Sequence, residues 1–425
     1  LLLINRTDFS ENIKLKKVFF YIFFIFLFIM SLFLPAIILV SIMLFIGVVY
    51  KINNISYFSI SYFFAFIATL LDPSILNVYD MARIYSYIIG YGQEYVNSSK
   101  PFRNLFGVIY NIYDVEPQIY SFVCVFLGFF ITFKATDRYW ASFYNNESDF
   151  FSLFFLVLLN LPLIFLTSYE NILSFSLLYL SSFYVFERNY IRGVLISIMA
   201  MMIHLAVLPI MLFVWFIAVF VNSVRVAFIF GLFFTVFLYV FTYINLSNVM
   251  TWLPDIILYA QSRYINYIGG PFGDYYGISD FFLIISCSIK ILLAVYLIIK
   301  LKQECSFFVK SRLLHKLLML SSFMIPVLLF FLLFQITAQR YIYFGMFYML
   351  PILMVYLYSS KICKSHKYIV IYMVVLVILS PRNMYRLLDY NNGFRYDYIT
   401  KGLLDSFLLS YPEAQEADAS GLNRI

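Results

Sequence analysis

From Val18 to Tyr50 the chain runs thirty-three residues without one Asp, Glu, Lys or Arg. As a single helix this run would be about 50 Å long, against a membrane hydrocarbon layer of roughly 30 Å. Pro35 stands near its middle, where a proline removes a backbone donor and clashes with the preceding turn. The run therefore reads as two apolar helices joined at Pro35. A removable signal peptide would need an apolar core of about 7 to 15 residues and a small-residue cleavage site after it. Neither is present, so the pair is expected to remain in the protein.

The same texture continues along the chain. Hydrophobic residues make up 63% and charged residues 12%, where soluble domains carry about 25% charged. At roughly 20 residues per crossing, candidate spans fall at 18–34, 35–50, 55–71, 118–134, 150–166, 171–186, 193–204, 205–222, 226–246, 279–300, 317–337, 341–359 and 368–380. The expected fold is all-α, a polytopic transmembrane helix bundle of 12 to 13 spans. Residues 1–412 read as one integral membrane domain. The stretch 413–425 abandons the Phe, Tyr and Ile texture and reads as a tag remnant or disordered tail.

Charge gives an orientation. With the N-terminus placed in the cytoplasm, Lys14, Lys16, Lys17, Lys51, Lys134, Arg138, Arg188, Arg192, Arg225, Lys300, Arg312, Lys316 and Lys361 all fall on the cytoplasmic side, as the positive-inside tendency requires. A single helix over 18–50 would invert everything downstream and destroy this agreement. The 29 Lys and Arg are scattered between apolar runs, so the net charge of +7 marks topology and no nucleic-acid partner. The external face then carries two long loops, 72–117 and 247–278, rich in Tyr, Asn and Gly. Loops of that length are commonly functional.

Ionisable side chains at or near membrane depth are costly and need a reason. Arg340, in Gln339-Arg340-Tyr341, sits on the external side between two long spans, where a guanidinium is suited to grip a diphosphate with two parallel bonds. Its plainer reading is a snorkelling anchor. His204, in the otherwise apolar stretch from Gly193 to Val221, offers a neutral imidazole as proton acceptor, or else is a satisfied core residue. The first long loop holds Asp80 and Arg83 at i and i+3, and Glu116-Pro117 opens the next span, where an acid also serves as helix-terminal charge. The second holds Arg263-Tyr264. No Gly-rich phosphate loop, His-Glu-x-x-His or Gly-x-Ser-x-Gly is present, and the four cysteines have no metal-ligand spacing.

Asp80-Met81-Ala82-Arg83-Ile84-Tyr85, Glu116-Pro117, Arg192 with the Ala200 to Pro209 segment around His204, and Gln339-Arg340-Tyr341 occur in an order that resembles the EpsG/Wzy-type polysaccharide polymerases of O-antigen, capsule and exopolysaccharide assembly. The resemblance covers most of residues 18–400. It implies a GT-C-like helical glycosyltransferase of the bacterial inner membrane, free of metal and cofactor, with its site facing the periplasm. The substrate implied is an undecaprenyl-diphosphate-linked oligosaccharide, and the implied partners are a chain-length regulator and a flippase. His204, Glu116 and Arg340 are then the catalytic candidates: a base for the acceptor hydroxyl and a cation for the departing diphosphate. Arg83, Asp80, Arg263, Tyr264 and Tyr341 are the substrate-binding candidates. The competing readings are a lipid-linked oligosaccharide flippase, whose repeat-related halves are not found, an O-antigen ligase, and a metal-dependent transferase using Asp72 and Asp80.

Overall fold

The computed structural model describes residues 6–71, 79–90, 101–144, 168–243, 311–331 and 398–407, with scattered positions in 150–166, 285–299 and 345–352 and Arg395. Arg263, Tyr264, Arg340, Tyr341, the loop 247–278 and the segment 413–425 lie outside the described residues, as do most of the spans expected beyond 332. Among the described residues the secondary structure is helical, with no strand longer than an isolated bridge at Leu71. The chain forms two compact units: residues 1–130, 164–173 and 385–425 in the first, and 131–163 and 174–384 in the second.

In the first unit, α1 (Arg6–Phe33) and α2 (Ala36–Val49) are separated at Leu34 and Pro35, as the sequence predicts. The break frees the Ala36 N–H, which donates to the Lys401 carbonyl at 3.0 Å. Between α2 and α3 (Asn53–Thr69), Ile52 N–H reaches back to Gly47 O and Lys51 N–H to Val48 O. This is a Schellman closure, with Lys51 in the left-handed region at φ 53. Gly47 is required at this hairpin, because a Cβ there would lie 2.6 Å from Ser56 Oγ and 2.8 Å from Ser56 N. The unit continues through α4 (Tyr79–Ile89), α5 (Pro101–Tyr113) and the first half of α6 (Gln118–Tyr144).

In the second unit, the later part of α6 runs beside α7 (Tyr169–Phe186). Thr132 meets Ser176 at 2.7 Å, Thr136 meets Tyr179 at 3.3 Å and Tyr139 meets Ser182 at 2.7 Å. Both numbers rise together, so the two helices are parallel. A short turn leads to α8 (Tyr190–Ile203), a 3-10 turn (Leu205–Val207) and α9 (Leu208–Phe220). Tyr190 and Trp215 have ring centroids 5.9 Å apart, which only a reversal at His204 allows, so α8 and α9 form an antiparallel hairpin. α10 (Val224–Tyr243) then packs on α11 (Arg312–Phe331), with Gly231 against the Phe323 carbonyl.

Large apolar side chains lie both inside and outside: Phe66, Phe129 and Phe133 are buried in the core. Phe33, Phe45, Ile191, Phe220 and Phe233 are between 66% and 77% exposed, whereas Ser59, Ser61, Thr132, Thr136 and Ser182 are completely buried. The inward hydroxyls are satisfied along their own helices, Ser59 on Ile55 O at 2.8 Å and Ser61 on Tyr57 O at 2.6 Å. Buried hydroxyls between helices, together with many large apolar side chains left exposed, are compatible with an apolar surrounding. Among the described residues, two helices, Gln118–Phe143 and Arg312–Phe330, are long and apolar enough to cross a membrane. Shorter apolar helices lie at Phe20–Phe33, Ala36–Val49, Tyr190–Ile203, Leu205–Phe220 and Val224–Val240.

Helix ends depart from the sequence reading where charge begins. α6 continues ten residues past the expected end at 134, and α1 begins at Arg6 instead of 18. Lys and Arg end a hydropathy window but are good helix formers, so the hydrogen-bond ladder passes through them.

Candidate functional site

The described residues of the first long loop form two helices. α4 turns Ile84, Tyr85 and Ile88 inward, and α5 turns Arg103, Phe106 and Gly107 inward, each at i, i+3 or i+4 spacing. Arg103 is the surprise on that face. Its guanidinium is buried, with Nε donating to Glu170 Oε1 at 2.8 Å and Nη2 donating to the same oxygen at 2.6 Å. Tyr120, in the first turn of α6, donates its hydroxyl to that oxygen at 2.8 Å. The Tyr87 ring lies 5.1 Å from the guanidinium carbon and shields it from one side.

Aromatic rings close the remaining sides. Phe106 packs edge-on to Tyr120 at 4.9 Å and Tyr169 packs edge-on to Tyr120 at 5.7 Å. Desolvation opposes the Arg103 charge, yet the Glu170 carboxylate beside it outweighs this and leaves the guanidinium pKa above its usual value. The guanidinium therefore keeps its charge. The pair ties α5 to the start of α7 and to the start of α6.

Glu116 occupies the link between α5 and α6, half-buried, with its carbonyl accepting from Ile119 N–H at 3.3 Å. Burial, aided by the neighbouring Asp114 charge, raises its carboxyl pKa. Asp114 itself closes α5 in the left-handed region at φ 52, which an Asp tolerates better than most residues. Of the residues singled out from sequence, Glu116 therefore sits beside the ion-paired platform in the chain, and Asp80 and Arg83 lie on α4, one of its two helices. A raised carboxyl holds a proton more readily than an ordinary one, which suits a general base.

His204 falls in the second unit, at the reversal between α8 and α9, with extended backbone at φ −154 and ψ 117. It is half-buried. Pro209, near the start of α9, cannot donate to a preceding turn, and the 3-10 turn from Leu205 to Val207 makes the corner. The sequence reading of a His204-centred turn is thus found, in a unit separate from Glu116, Asp80 and Arg83.

Two participants went unremarked in the sequence. Arg103 was one loop charge among eight. Glu170 is the only charged residue between Asp149 and Glu187, and that isolation is the mark by which it could have been found. A second buried charge, Lys316, caps α9: its ammonium donates to Ile217 O at 2.8 Å and Val221 O at 2.5 Å. No protein-family model, curated protein or solved structure matches the chain.

Proposed function

We propose that this protein is a polytopic membrane glycosyltransferase, a polysaccharide polymerase that moves a growing glycan from undecaprenyl diphosphate to an incoming lipid-linked repeat unit. The membrane is the bacterial inner membrane, the N-terminus is cytoplasmic, and transfer takes place on the periplasmic face. The substrate class comes from the resemblance to the EpsG/Wzy-type polymerases. The membrane placement is supported by the outward apolar surface and by the parallel pair α6 and α7. Parallel neighbours joined by only the residues 145–168 require a return crossing, and the apolar run 150–166 is the length for one.

The observation that carries the enzymatic reading is the pair of helices in the first long loop. A long loop held by a buried Arg103–Glu170 pair is a rigid platform, and rigid placement of reacting groups is what such a transfer needs from a protein. On the resemblance, Asp80 and Arg83 of α4 serve as sugar and phosphate ligands. Glu116 is the base that takes the acceptor hydroxyl proton as the new glycosidic bond forms and the bond to the diphosphate breaks. Diphosphate is a good leaving group, so cation support from Arg83 and Arg340 replaces a general acid.

The test is complementation of a strain lacking the gene, with surface glycan resolved on a gel and membrane levels of each variant checked. Wild type should restore a ladder, while Arg83→Ala or Arg340→Ala at normal protein level should leave single-repeat glycan. Loss of even the single-repeat product in the deletion strain would instead indicate a flippase or ligase and end the polymerase reading.

A further inference from the structure

The ends of three helices in the second unit border a half-open polar cleft of about 140 Å³, lined by Ser142, Phe186, Glu187, Ser311, Arg312 and Leu313. One water needs only about 10 to 15 Å³ of such space, so the cavity takes a small polar group of several atoms. Its chemistry is specific. A carboxylate and a guanidinium face the same space, yet Glu187 and Arg312 form no ion pair with each other. Opposite charges held apart across a cavity match a ligand that carries both signs.

The surroundings bias one part of that ligand. Arg138 donates to the Tyr184 hydroxyl, and the Arg138 and Arg192 guanidinium carbons stand 5.5 and 5.9 Å from the Tyr184 ring. Tyr184 precedes Glu187 by three residues and Arg138 precedes Ser142 by four, so both lie on the faces that lead to the cavity. Arg188 follows immediately, in a Schellman closure in which Asn189 N–H bonds Tyr184 O and Arg188 sits at φ 64. A β-carbon in that region is disfavoured, and Gly is the usual occupant, so the position keeps a cation at a conformational cost. Arg312 is the guanidinium that lines the cavity and Glu187 is the acid within it.

Position along the helix fixes the level. α11 has 20 residues and rises about 30 Å, the hydrocarbon thickness, so its first residues, Ser311 to Leu313 with the cavity, belong at headgroup depth. Ser311 accepts from Leu314 N–H at 3.4 Å, which leaves its hydroxyl proton free to be donated.

We propose that this cavity binds the head group of a phospholipid bearing both a phosphate and a primary ammonium, phosphatidylethanolamine in chemical class. Arg312 and Ser311 hold the phosphate, and Glu187 accepts hydrogen bonds from the ammonium. The inference rests on the membrane reading above and goes beyond it by naming a lipid site.

The full-length protein would be purified into nanodiscs of phosphatidylcholine alone, or of phosphatidylcholine with phosphatidylethanolamine or phosphatidylglycerol. Bound lipid is then counted by native mass spectrometry after release into detergent. Retention of phosphatidylethanolamine over phosphatidylcholine by about tenfold is expected, the size of one charge-assisted hydrogen-bonded contact. Glu187→Gln should abolish that preference while leaving phosphatidylglycerol retention unchanged, and Arg312→Gln should reduce retention of both. Arg188→Gly, which relaxes the backbone, should weaken both without unfolding the turn. Equal retention of all three lipids, insensitive to Glu187→Gln, overturns the site. Equal competition by soluble phosphoethanolamine overturns the lipid as its source. Release of the protein from membranes by a carbonate wash, by contrast, would overturn the membrane reading itself.

Discussion

Arg103 and Glu170 lie 67 positions apart and meet at one carboxylate oxygen, where Arg103 places both Nε and Nη2 and Tyr120 adds its hydroxyl. Two charges withdrawn from water this far are stabilising only as a pair. Removing one partner strands the other, at a cost of about 3 to 5 kcal/mol, whereas replacing both with apolar residues of similar size is close to neutral. Thermal unfolding in detergent should therefore show Arg103→Met and Glu170→Met each strongly destabilised and the double variant recovering most of the loss. Additive effects of the two substitutions would deny the coupling.

The raised carboxyl of Glu116 gives a pH dependence whose sign differs between stability and activity. The native state holds that proton more tightly than the unfolded chain. Its contribution to stability is thus complete below the unfolded carboxylate pKa and is lost as pH rises through the folded value. Activity runs the other way, because a base must be deprotonated. In vitro polymerisation should fall with acidification along a limb that lies above the ordinary carboxylate range, and Glu116→Gln should remove most of the rate at every pH. An unchanged profile in Glu116→Gln would assign the proton to another group.

Gly231 lets α10 and α11 approach until its missing side chain is filled by the Phe323 carbonyl and Pro326 ring. A backbone carbonyl cannot move aside as a flexible side chain does. Gly231→Ala should cost about 1 to 3 kcal/mol by forcing the helices apart, read as a lower unfolding temperature. Gly231→Leu should prevent accumulation in the membrane.

Legibility followed the range of the interaction. The break at Pro35 and the turn at His204 are set by residues within one or two helical turns, and both could be read directly. Glu116 was visible because an acid before a proline at the start of an apolar run is a local pattern. Arg103 and Glu170 were not, because nothing near either names its partner; only the fold brings α5 to the head of α7. The same holds for Lys316, whose partners are carbonyls about a hundred residues earlier and therefore carry no sequence signature at all.

The α8–α9 hairpin gives His204 a depth. Its arms of 14 and 13 residues rise only about 21 and 20 Å, short of a hydrocarbon layer of roughly 30 Å. Both arms begin and end on the same side whether or not the hairpin crosses fully, so the charge-based orientation is unaffected. On the proposed topology the tip, with extended backbone at His204 and Leu205 61% exposed, would lie inside the outer half of the membrane instead of beyond it. Non-helical backbone at that depth is tolerated where it is covered by protein or lines a wet cavity. In intact cells, Leu205→Cys should react with a membrane-impermeant maleimide much more slowly than a cysteine placed at Asn111, an exposed position in the first long loop. Equal rates would put the tip in bulk water and make α8 and α9 complete crossings. A slow rate, together with loss of the glycan ladder in His204→Ala but not in Leu205→Ala, would mean that the imidazole serves a substrate held within the membrane, next to its lipid carrier.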